Sequence, residues 1–270
     1  MKFIPAKIAA ASVLALSGAV FAQTAAAPVA PAPAASPLSF NIALTSNYKF
    51  RGQDQVQSRT NQFKPALQGG VDYAFANGFY VGNWNSTVDF RDPAGNRANL
   101  EIDLYGGYKW NIGEVGLDVG ALQYYYPSAT KANTTEVYLG ASYGPFVAKY
   151  SNTVSRDYFG YGGFPTNTNG RGTQYINVGF SKEVMPNVTL KANLGQTVFR
   201  NAIKATGIPS FTDYSLGASY DFGSGLSLAG YVQGASNKNS YLYPLPGSTR
   251  SQPRHADLHA HKNAVTHKAS

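Results

Sequence analysis

The sequence predicts an all-β protein, an antiparallel transmembrane β-barrel of about twelve strands. Residues 38–51 (LSFNIALTSNYKFR) alternate between apolar and polar side chains over 14 residues, whereas strands of soluble domains usually run about 5–6. The same alternation recurs in ten later segments, and the loops between them are alternately long and short. Charged residues make up 13% of the chain, about half the share that is usual in soluble domains.

The N-terminus carries the pattern of a secretory signal peptide. Two lysines precede an apolar stretch at residues 8–20, and a small-residue cleavage pattern ends at Ala22. We therefore predict a signal peptide at residues 1–22 and an extended Ala/Pro-rich linker at residues 23–37. The chain has no Cys, which excludes a disulfide framework. The two ends supply six of the eight net positive charges of the chain, so the charge gives no support to nucleic-acid binding.

Eleven strands are readable in a predicted barrel at residues 38–235. The short connections carry Asn-Gly or Gly-Ser-Gly sequences, which supply the positive φ that tight hairpin turns require. Because short and long connections alternate, all long loops are expected on one rim, as in outer-membrane barrels. The predicted strands are residues 38–51, 64–75, 79–90, 99–110, 114–126, 134–143, 146–153, 174–182, 188–199, 211–222 and 226–234.

A soluble barrel with its apolar face inward is the alternative interpretation of the same pattern. The polar face is rich in Gly, Ser and Asn, whereas the exposed face of a soluble sheet usually carries more Lys and Glu. Aromatic residues also gather beside the short turns, and amphipathic rings favour the membrane–water boundary. Both features favour a membrane barrel whose polar face lines the lumen.

The polar faces provide the candidate pore-lining residues, because rings of fixed charge bias the passage of ions and small solutes. The long loop at residues 154–173 either folds inward as a constriction or lies on the surface. Its aromatic residues are Tyr158, Phe159, Tyr161 and Phe164. The candidate pore-lining residues are Lys49, Arg51, Asp72, Asn83, Asn85, Asp89, Glu101, Asp103, Lys109, Asp118, Lys149 and Lys191.

Four ordered segments of the chain resemble a known family. They are SNYKFRG (46–52), PALQGGVDYAFANGFYVGNWNSTVDF (65–90), EIDLYGGYKW (101–110) and VGLDVGALQYYYP (115–127). These segments resemble the TorF family of proteobacterial outer-membrane porins. The resemblance implies an outer-membrane location and pore activity, and it carries over no residue-level site.

The C-terminus departs from that resemblance, which implies a last strand ending in an aromatic residue. Nothing after Leu245 shows the alternation of the earlier strands. Eleven strands would leave two open edges, whereas bacterial single-chain barrels have even strand numbers and must close. We therefore expect a twelfth strand that is lost or altered, and an aberrant, disordered tail at residues 236–270.

The sequence offers little support for catalysis or for a cofactor. All four His lie in the C-terminal tail, and without a fold to orient them they do not predict a metal site. Glu101 and Asp103 share one face of a strand, but a lumen of mixed charge predicts such pairs without catalysis. We expect neither an enzyme nor a cofactor.

The predicted function is a porin for the passive diffusion of small hydrophilic or ionic solutes across the bacterial outer membrane. The alternative is a closed outer-membrane barrel with a structural or surface-binding role through its long extracellular loops. The expected partners are outer-membrane lipid, small solutes and, during insertion, the barrel-assembly machinery, with no nucleic acid among them.

Overall fold

The computed structural model describes residues 36–56, 63–161 and 168–237, and the backbone of residues 255–265. Within these residues, twelve antiparallel strands form a closed barrel, which confirms the predicted fold class. Two further short strands, β2 and β3, pair only with each other. The strands are β1 (Leu38–Thr45), β2 (Lys49–Phe50), β3 (Gln53–Asp54), β4 (Ala66–Ala74), β5 (Phe79–Arg91), β6 (Arg97–Ile112), β7 (Val115–Tyr125), β8 (Thr134–Tyr143), β9 (Phe146–Thr153), β10 (Gln174–Met185), β11 (Val188–Val198), β12 (Phe211–Gly223), β13 (Leu226–Ala235) and β14 (His255–Val265).

Helices contribute little to the described chain. A single 3-10 turn spans Thr130–Ala132 and a short α-helix, α1, spans Asn201–Lys204. Neither these nor any other helix in the described residues is long and apolar enough to cross a membrane.

Strand β14 closes the barrel, so the expectation of a lost twelfth strand is wrong. Seven residue pairs join it to β1, from Ser39–Val265 to Thr45–His259, and eight join it to β13. Strand pairing uses backbone groups, and an open edge in lipid would leave those groups without partners. The sequence of this strand also alternates, so the expectation that nothing after Leu245 does so is wrong. Polar residues stand at 255, 257, 259, 261 and 263, and Ala or Leu stands at 256, 258, 260 and 264, with Lys262 the exception. The tail expected at residues 236–270 thus contains a strand, and residues 238–254 and 266–270 lie outside the described part.

The outer surface of the barrel is apolar, as the alternation predicts. On β1 the side chains of Leu38, Phe40, Ile42 and Leu44 are 37–58% exposed, whereas Ala43 between them is buried. Aromatic pairs lie beside the short turns, where a membrane–water boundary is expected. They are Tyr73–Phe75, Phe79–Tyr108, Phe146–Phe180 and Tyr220–Phe222, with ring centroids 4.7–5.3 Å apart.

The first strand is shorter than predicted, because it ends at Thr45 and does not continue to Arg51. The chain then turns into the lumen, where Tyr48 is 1% exposed, although the alternation assigned it to the lipid face. Strands β2 and β3 form a hairpin whose turn residues, Arg51 and Gly52, both have positive φ, 48° and 73°. Two positive φ angles are typical of the tight turns that join hairpin strands. Residues 46–56, the inner hairpin segment, therefore leave the wall and enter the barrel.

Strand β5 has the opposite orientation to the one that its sequence predicts. Trp84 and Val88 are each 4% exposed and face the lumen, while Val81 is 51% exposed. Asn83 and Asn85 alternate with these buried residues and so face outward, not into the pore. The predicted phase is wrong because the rings of Tyr80 and Trp84 pack inside the barrel, so the apolar side chains of this strand do not all face lipid.

The side-chain amides of the two outward asparagines are partly hydrogen-bonded to each other. The Asn85 amide donates a 2.5 Å hydrogen bond to the Asn83 Oδ1, and the Asn83 amide donates to the backbone oxygen of Asp103 at 3.1 Å. Polar groups in lipid are costly without partners, so this pairing limits the cost of placing amides on the apolar surface.

The orientation of β5 predicts different environments for the two Trp residues of the protein. Trp84 faces the lumen, whereas Trp110 lies on the same face of β6 as the exposed Leu104. In vesicles of brominated lipid, we expect strong quenching of Trp110 fluorescence in a Trp84→Phe variant. A Trp110→Phe variant, which reports Trp84, should be quenched far less, since bromine quenches rings that contact acyl chains. Equal quenching of the two variants would contradict this orientation.

Candidate solute pathway inside the barrel

The lumen is filled unevenly, because aromatic side chains of β5–β8 pack against the inner hairpin segment. Tyr48 meets Trp84 edge-on at 5.8 Å between ring centroids. Phe50 packs on Tyr124 at 5.5 Å. The buried members of this aromatic cluster are Tyr48, Ala66, Tyr80, Trp84, Val88, Ala98, Tyr105, Leu122, Tyr124, Tyr126, Ala129, Ala132 and Tyr138.

Two acidic residues lie fully buried beside the aromatic cluster. Glu101 accepts hydrogen bonds from Tyr48 at 2.9 Å and from Tyr126 at 2.8 Å, which ties the inner hairpin segment to the wall. Asp103, two residues on, is 0% exposed, and neither of its carboxylate oxygens has a hydrogen-bond partner among the described residues. The structure therefore places Glu101 in a structural network of tyrosines.

A cluster of opposite charges holds the base of the inner hairpin segment. Asp54 on β3 pairs with Lys49 on β2, and its Oδ2 accepts from Lys64 at 2.8 Å. Burial acts to raise the pKa of Asp54, but Lys49 and Lys64 hold that pKa below its ordinary value. Lys49 therefore carries a charge that is neutralised inside the barrel and does not lie on a wall strand.

Arg51, at the tip of the inner hairpin, forms a bidentate ion pair with Glu136 of β8. The two nitrogen–oxygen distances are 3.0 and 2.7 Å, and the same guanidinium donates to the Tyr158 hydroxyl at 3.0 Å. It also lies over the Tyr175 ring, 4.0 Å from the centroid. Bidentate pairs of this kind are among the strongest and most directional hydrogen bonds in proteins. The tip of the hairpin is thus fixed to the wall and to the loop at residues 154–173.

The described part of that loop folds inward, which answers the alternative that the sequence left open. Tyr158 is 2% exposed, and Phe159 packs on Phe50 and Tyr124 with centroid distances of 5.1 and 4.8 Å. The loop and the inner hairpin segment together narrow the lumen. Phe164, which the sequence also pointed to, lies outside the described residues.

The contact of the hairpin tip with β13 gives a testable prediction. A Cβ on Gly52 would lie 2.6 Å from the Gly234 carbonyl oxygen and 2.9 Å from the Ala235 Cβ. We expect Gly52→Ala to displace the tip and to lower the free energy of unfolding by about 1–3 kcal/mol, the usual cost of overpacking. Urea unfolding of the refolded barrel measures this. Gly95→Ala is the matched control, since Gly95 also has a positive φ of 86° but meets nothing within 4 Å. Equal losses in the two variants would show that the contact with β13 is unimportant.

Open space remains on the opposite side of the lumen, along β9–β13. This pocket has a volume of about 570 Å³, part of it open to solvent. Its lining is polar and aromatic, with side chains from the wall and from the tip of the inner hairpin. The lining residues are Phe50, Arg51, Gly52, Tyr124, Lys149, Ser151, Tyr175, Asn177, Asn193, Asp213, Tyr214, Ser215 and Gln233.

The structure separates the candidate pore-lining residues into groups. Asp89 pairs with exposed Arg97 near the ends of β5 and β6, and Asn83 and Asn85 face outward. Arg51 and Lys149 alone among the candidates line the pocket. The remaining wall candidates lie on the inward face of their strands, and their pore-lining role stays a prediction. These are Asp72, Glu101, Asp103, Lys109, Asp118 and Lys191.

Tyrosine hydroxyls engage several of the inward carboxylates. Asp72 accepts from Tyr105 at 2.5 Å, and Asp118 accepts from Tyr80 at 2.7 Å. The candidate set omitted Glu136 and Asp213, although both lie on polar strand faces, and that position was the signal available in the sequence. The described residues contain no group of three or more potential metal ligands.

Comparison with protein families and with solved structures bears on the fold. The family described as "Bacterial protein of unknown function (Gcw_chp)" matches residues 30–263, a range that reaches into β14. No curated protein matches the chain. Among solved structures, the NanC porin is 10% identical with a TM-score of 0.53, and the match covers 85% of this chain and 99% of that chain. At this identity the likeness extends to the fold alone.

Two other solved barrels match with lower scores. The KdgM porin, in complex with disordered oligogalacturonate, is 8% identical with a TM-score of 0.49, covering 85% of this chain and 99% of that chain. The outer membrane phospholipase A from Escherichia coli is 10% identical with a TM-score of 0.39, covering 86% and 97%.

Proposed function

The chain belongs to the Gcw_chp family of bacterial proteins of unknown function, and we propose that it is a porin of the outer membrane through which small hydrophilic or ionic solutes diffuse passively. One observation carries the proposal. A closed barrel with an apolar exterior holds a polar pocket along β9–β13, beside the inner hairpin segment and the inward loop. This arrangement fits a constricted aqueous route, since barrels of this size lie between filled small barrels and open porins.

We propose transport and not catalysis as the role of the barrel. Strands β1 and β4–β13 contain no His and no Cys, the residues on which hydrolytic nucleophiles most often depend, whereas β14 contains His255, His259 and His261. We propose in addition that the chain is a TorF-type porin, that residues 1–22 direct its export, and that it contacts outer-membrane lipid and the barrel-assembly machinery during insertion. These proposals rest on the sequence patterns described above.

Conductance of the refolded protein in a planar bilayer tests the proposed function. We expect discrete channel steps in potassium chloride solution from a barrel whose fold has been verified by its altered gel mobility before heating. The absence of channel steps from such a barrel would contradict a porin.

A second candidate function is a closed barrel with a structural or surface-binding role through its long loops. The packing of aromatic side chains against the inner hairpin segment inside the lumen favours it. The same conductance measurement separates the two candidates, because a closed barrel folds but does not conduct.

A further inference from the structure

We propose that the pocket along β9–β13 is a binding site for a neutral polyhydroxylated solute, such as a sugar. This inference deepens the proposed function, since it names the class of solute that would occupy the pathway. It rests on three polar side chains that line the pocket. Asn177 and Asp213 each have one buried oxygen without a hydrogen-bond partner in the described residues, and the Lys149 ammonium lies on the face of the Tyr138 ring.

The strand register places these three side chains at one level of the wall. Lys149 of β9 lies directly opposite Asn177 of β10, Asn177 opposite Gly195 of β11, and Gly195 opposite Asp213 of β12. Neighbouring strands are about 4.8 Å apart, so the row from Lys149 to Asp213 extends over about 14 Å of the curved wall. A row of this length suits a solute that carries several polar groups.

The unmatched atoms include both acceptors and a donor. Asn177, 1% exposed, and Asp213, 3% exposed, each have one buried oxygen without a hydrogen-bond partner in the described residues. The ammonium group of Lys149 lies 3.6 Å from the centroid of the Tyr138 ring and makes no hydrogen bond or ion pair to any residue that the structure describes. Unpaired buried polar groups are costly, so each of these atoms favours a partner supplied from the pocket.

The remaining polar atoms of the same side chains are held in place. The Asn177 amide donates to Asn193 Oδ1 at 3.0 Å, and Asp213 Oδ1 accepts from the Tyr175 hydroxyl at 3.0 Å. The unmatched oxygens are therefore oriented by the wall before any solute arrives. Such preorganisation reduces the entropy that binding must offset.

The hydroxyl group fits this set, because it both donates and accepts hydrogen bonds. Donation would satisfy the oxygens of Asn177 and Asp213, and acceptance would satisfy Lys149. The pocket contains one carboxylate and one ammonium, while the charge of Arg51 is neutralised by Glu136, so the lining does not select for net charge. The rings of Tyr124 and Tyr175 also offer apolar faces for the carbon skeleton of a sugar.

Ligand-observed NMR of the refolded full-length barrel in detergent, with glucose as the probe, tests the inference. We expect saturable glucose binding that Asn177→Ala weakens about tenfold, the effect of removing one hydrogen bond to a preorganised acceptor. Asp213→Asn should weaken binding similarly, while its retained oxygen can still accept from Tyr175. Asn41→Ala is the matched control, because Asn41 lies on the inward face of β1 and does not line the pocket.

The solute class is tested with glycine and glucuronate as competing probes. A neutral polyol should bind more tightly than either, and its affinity should change little between low and high salt, since screening acts on charged ligands. Tighter binding of the zwitterion glycine would overturn the polyhydroxylated class, and tighter binding of the anion glucuronate would overturn the neutral class. An absence of saturable glucose binding, or unchanged binding in both pocket variants, would overturn the site itself.

The binding measurement does not depend on conductance, so the two proposals fail separately. A barrel that conducts but does not bind glucose retains the proposed function and loses this inference. A folded barrel that binds glucose without conducting contradicts the porin and retains the site.

Discussion

Ending the chain at Pro253 is expected to abolish the folded barrel completely, because the truncated protein lacks β14. This strand pairs with β1 over seven residues and with β13 over eight, so its loss exposes two backbone edges at once. In lipid, each unsatisfied backbone group costs several kcal/mol, so the groups along two exposed edges together cost more than the net stability of about 5–15 kcal/mol that is typical of domains. Refolding into detergent or vesicles, followed by gel electrophoresis without heating, measures the fraction of folded barrel.

A second truncation after Val265 is the matched control, since it keeps the whole of β14 and removes only the five residues that follow. We expect this variant to fold like the full-length chain. Equal folding of the two truncations would mean that β14 is dispensable, as the sequence-based expectation of a disordered tail implied. A substitution within the strand, Ala260→Pro, should resemble the longer truncation, because proline removes a ladder hydrogen bond where both neighbours pair.

Arg51→Ala is expected to produce the largest effect of any single substitution in the inner hairpin segment. It leaves the buried carboxylate of Glu136 without its bidentate partner, and breaking a buried ion pair in this way typically costs about 3–5 kcal/mol. It also removes the contacts of the hairpin tip with Tyr158 and Tyr175. We expect a lower urea midpoint of unfolding and, from a more mobile hairpin, a higher single-channel conductance.

The double variant Arg51→Ala/Glu136→Gln separates the charge from the contact. Since Gln leaves no unpaired charge, the double variant should recover part of the lost stability while the conductance stays high. If the losses of stability in Arg51→Ala and in Glu136→Gln alone simply add in the double variant, the ion pair does not couple the hairpin to the wall. A conductance equal to that of the native protein in both variants would show that the hairpin tip does not narrow the route.

The sequence predicted the barrel well, because alternation records which side of a wall a residue faces. Leu104 and Leu139, for example, lie on predicted apolar faces and are 53% and 52% exposed on the outer surface. That inference depends on lipid and lumen differing in polarity. It fails where the lumen itself is apolar, and for this reason the sequence predicts Asn83 and Asn85 in the pore, whereas Trp84 between them faces the lumen.

The parts of the site that escaped prediction depend on contacts between distant segments. Arg51 and Glu136 are 85 residues apart, and Tyr161 donates to Gln53 across 108 residues. Nothing in the local pattern distinguishes Arg51 on a wall strand from Arg51 on a hairpin inside the barrel. Strand β14 is a different case, because residues 255–264 do alternate between polar residues and Ala or Leu, with Lys262 the exception, and the sequence prediction missed that pattern.

The position of the inner hairpin between β1 and β4 has a consequence for the order of folding. The β1–β4 ladder joins neighbouring parts of the chain, whereas the β1–β14 ladder joins residues as far apart as Ser39 and Val265. Because closing a long loop is slow, the junction of β1 and β14 is expected to form last. The hairpin is meanwhile attached to a strand that already belongs to the growing sheet. The sheet can therefore close around the hairpin, which does not have to enter a barrel that is already closed. The contacts of the hairpin inside the barrel are thus expected to form before β1 pairs with β14.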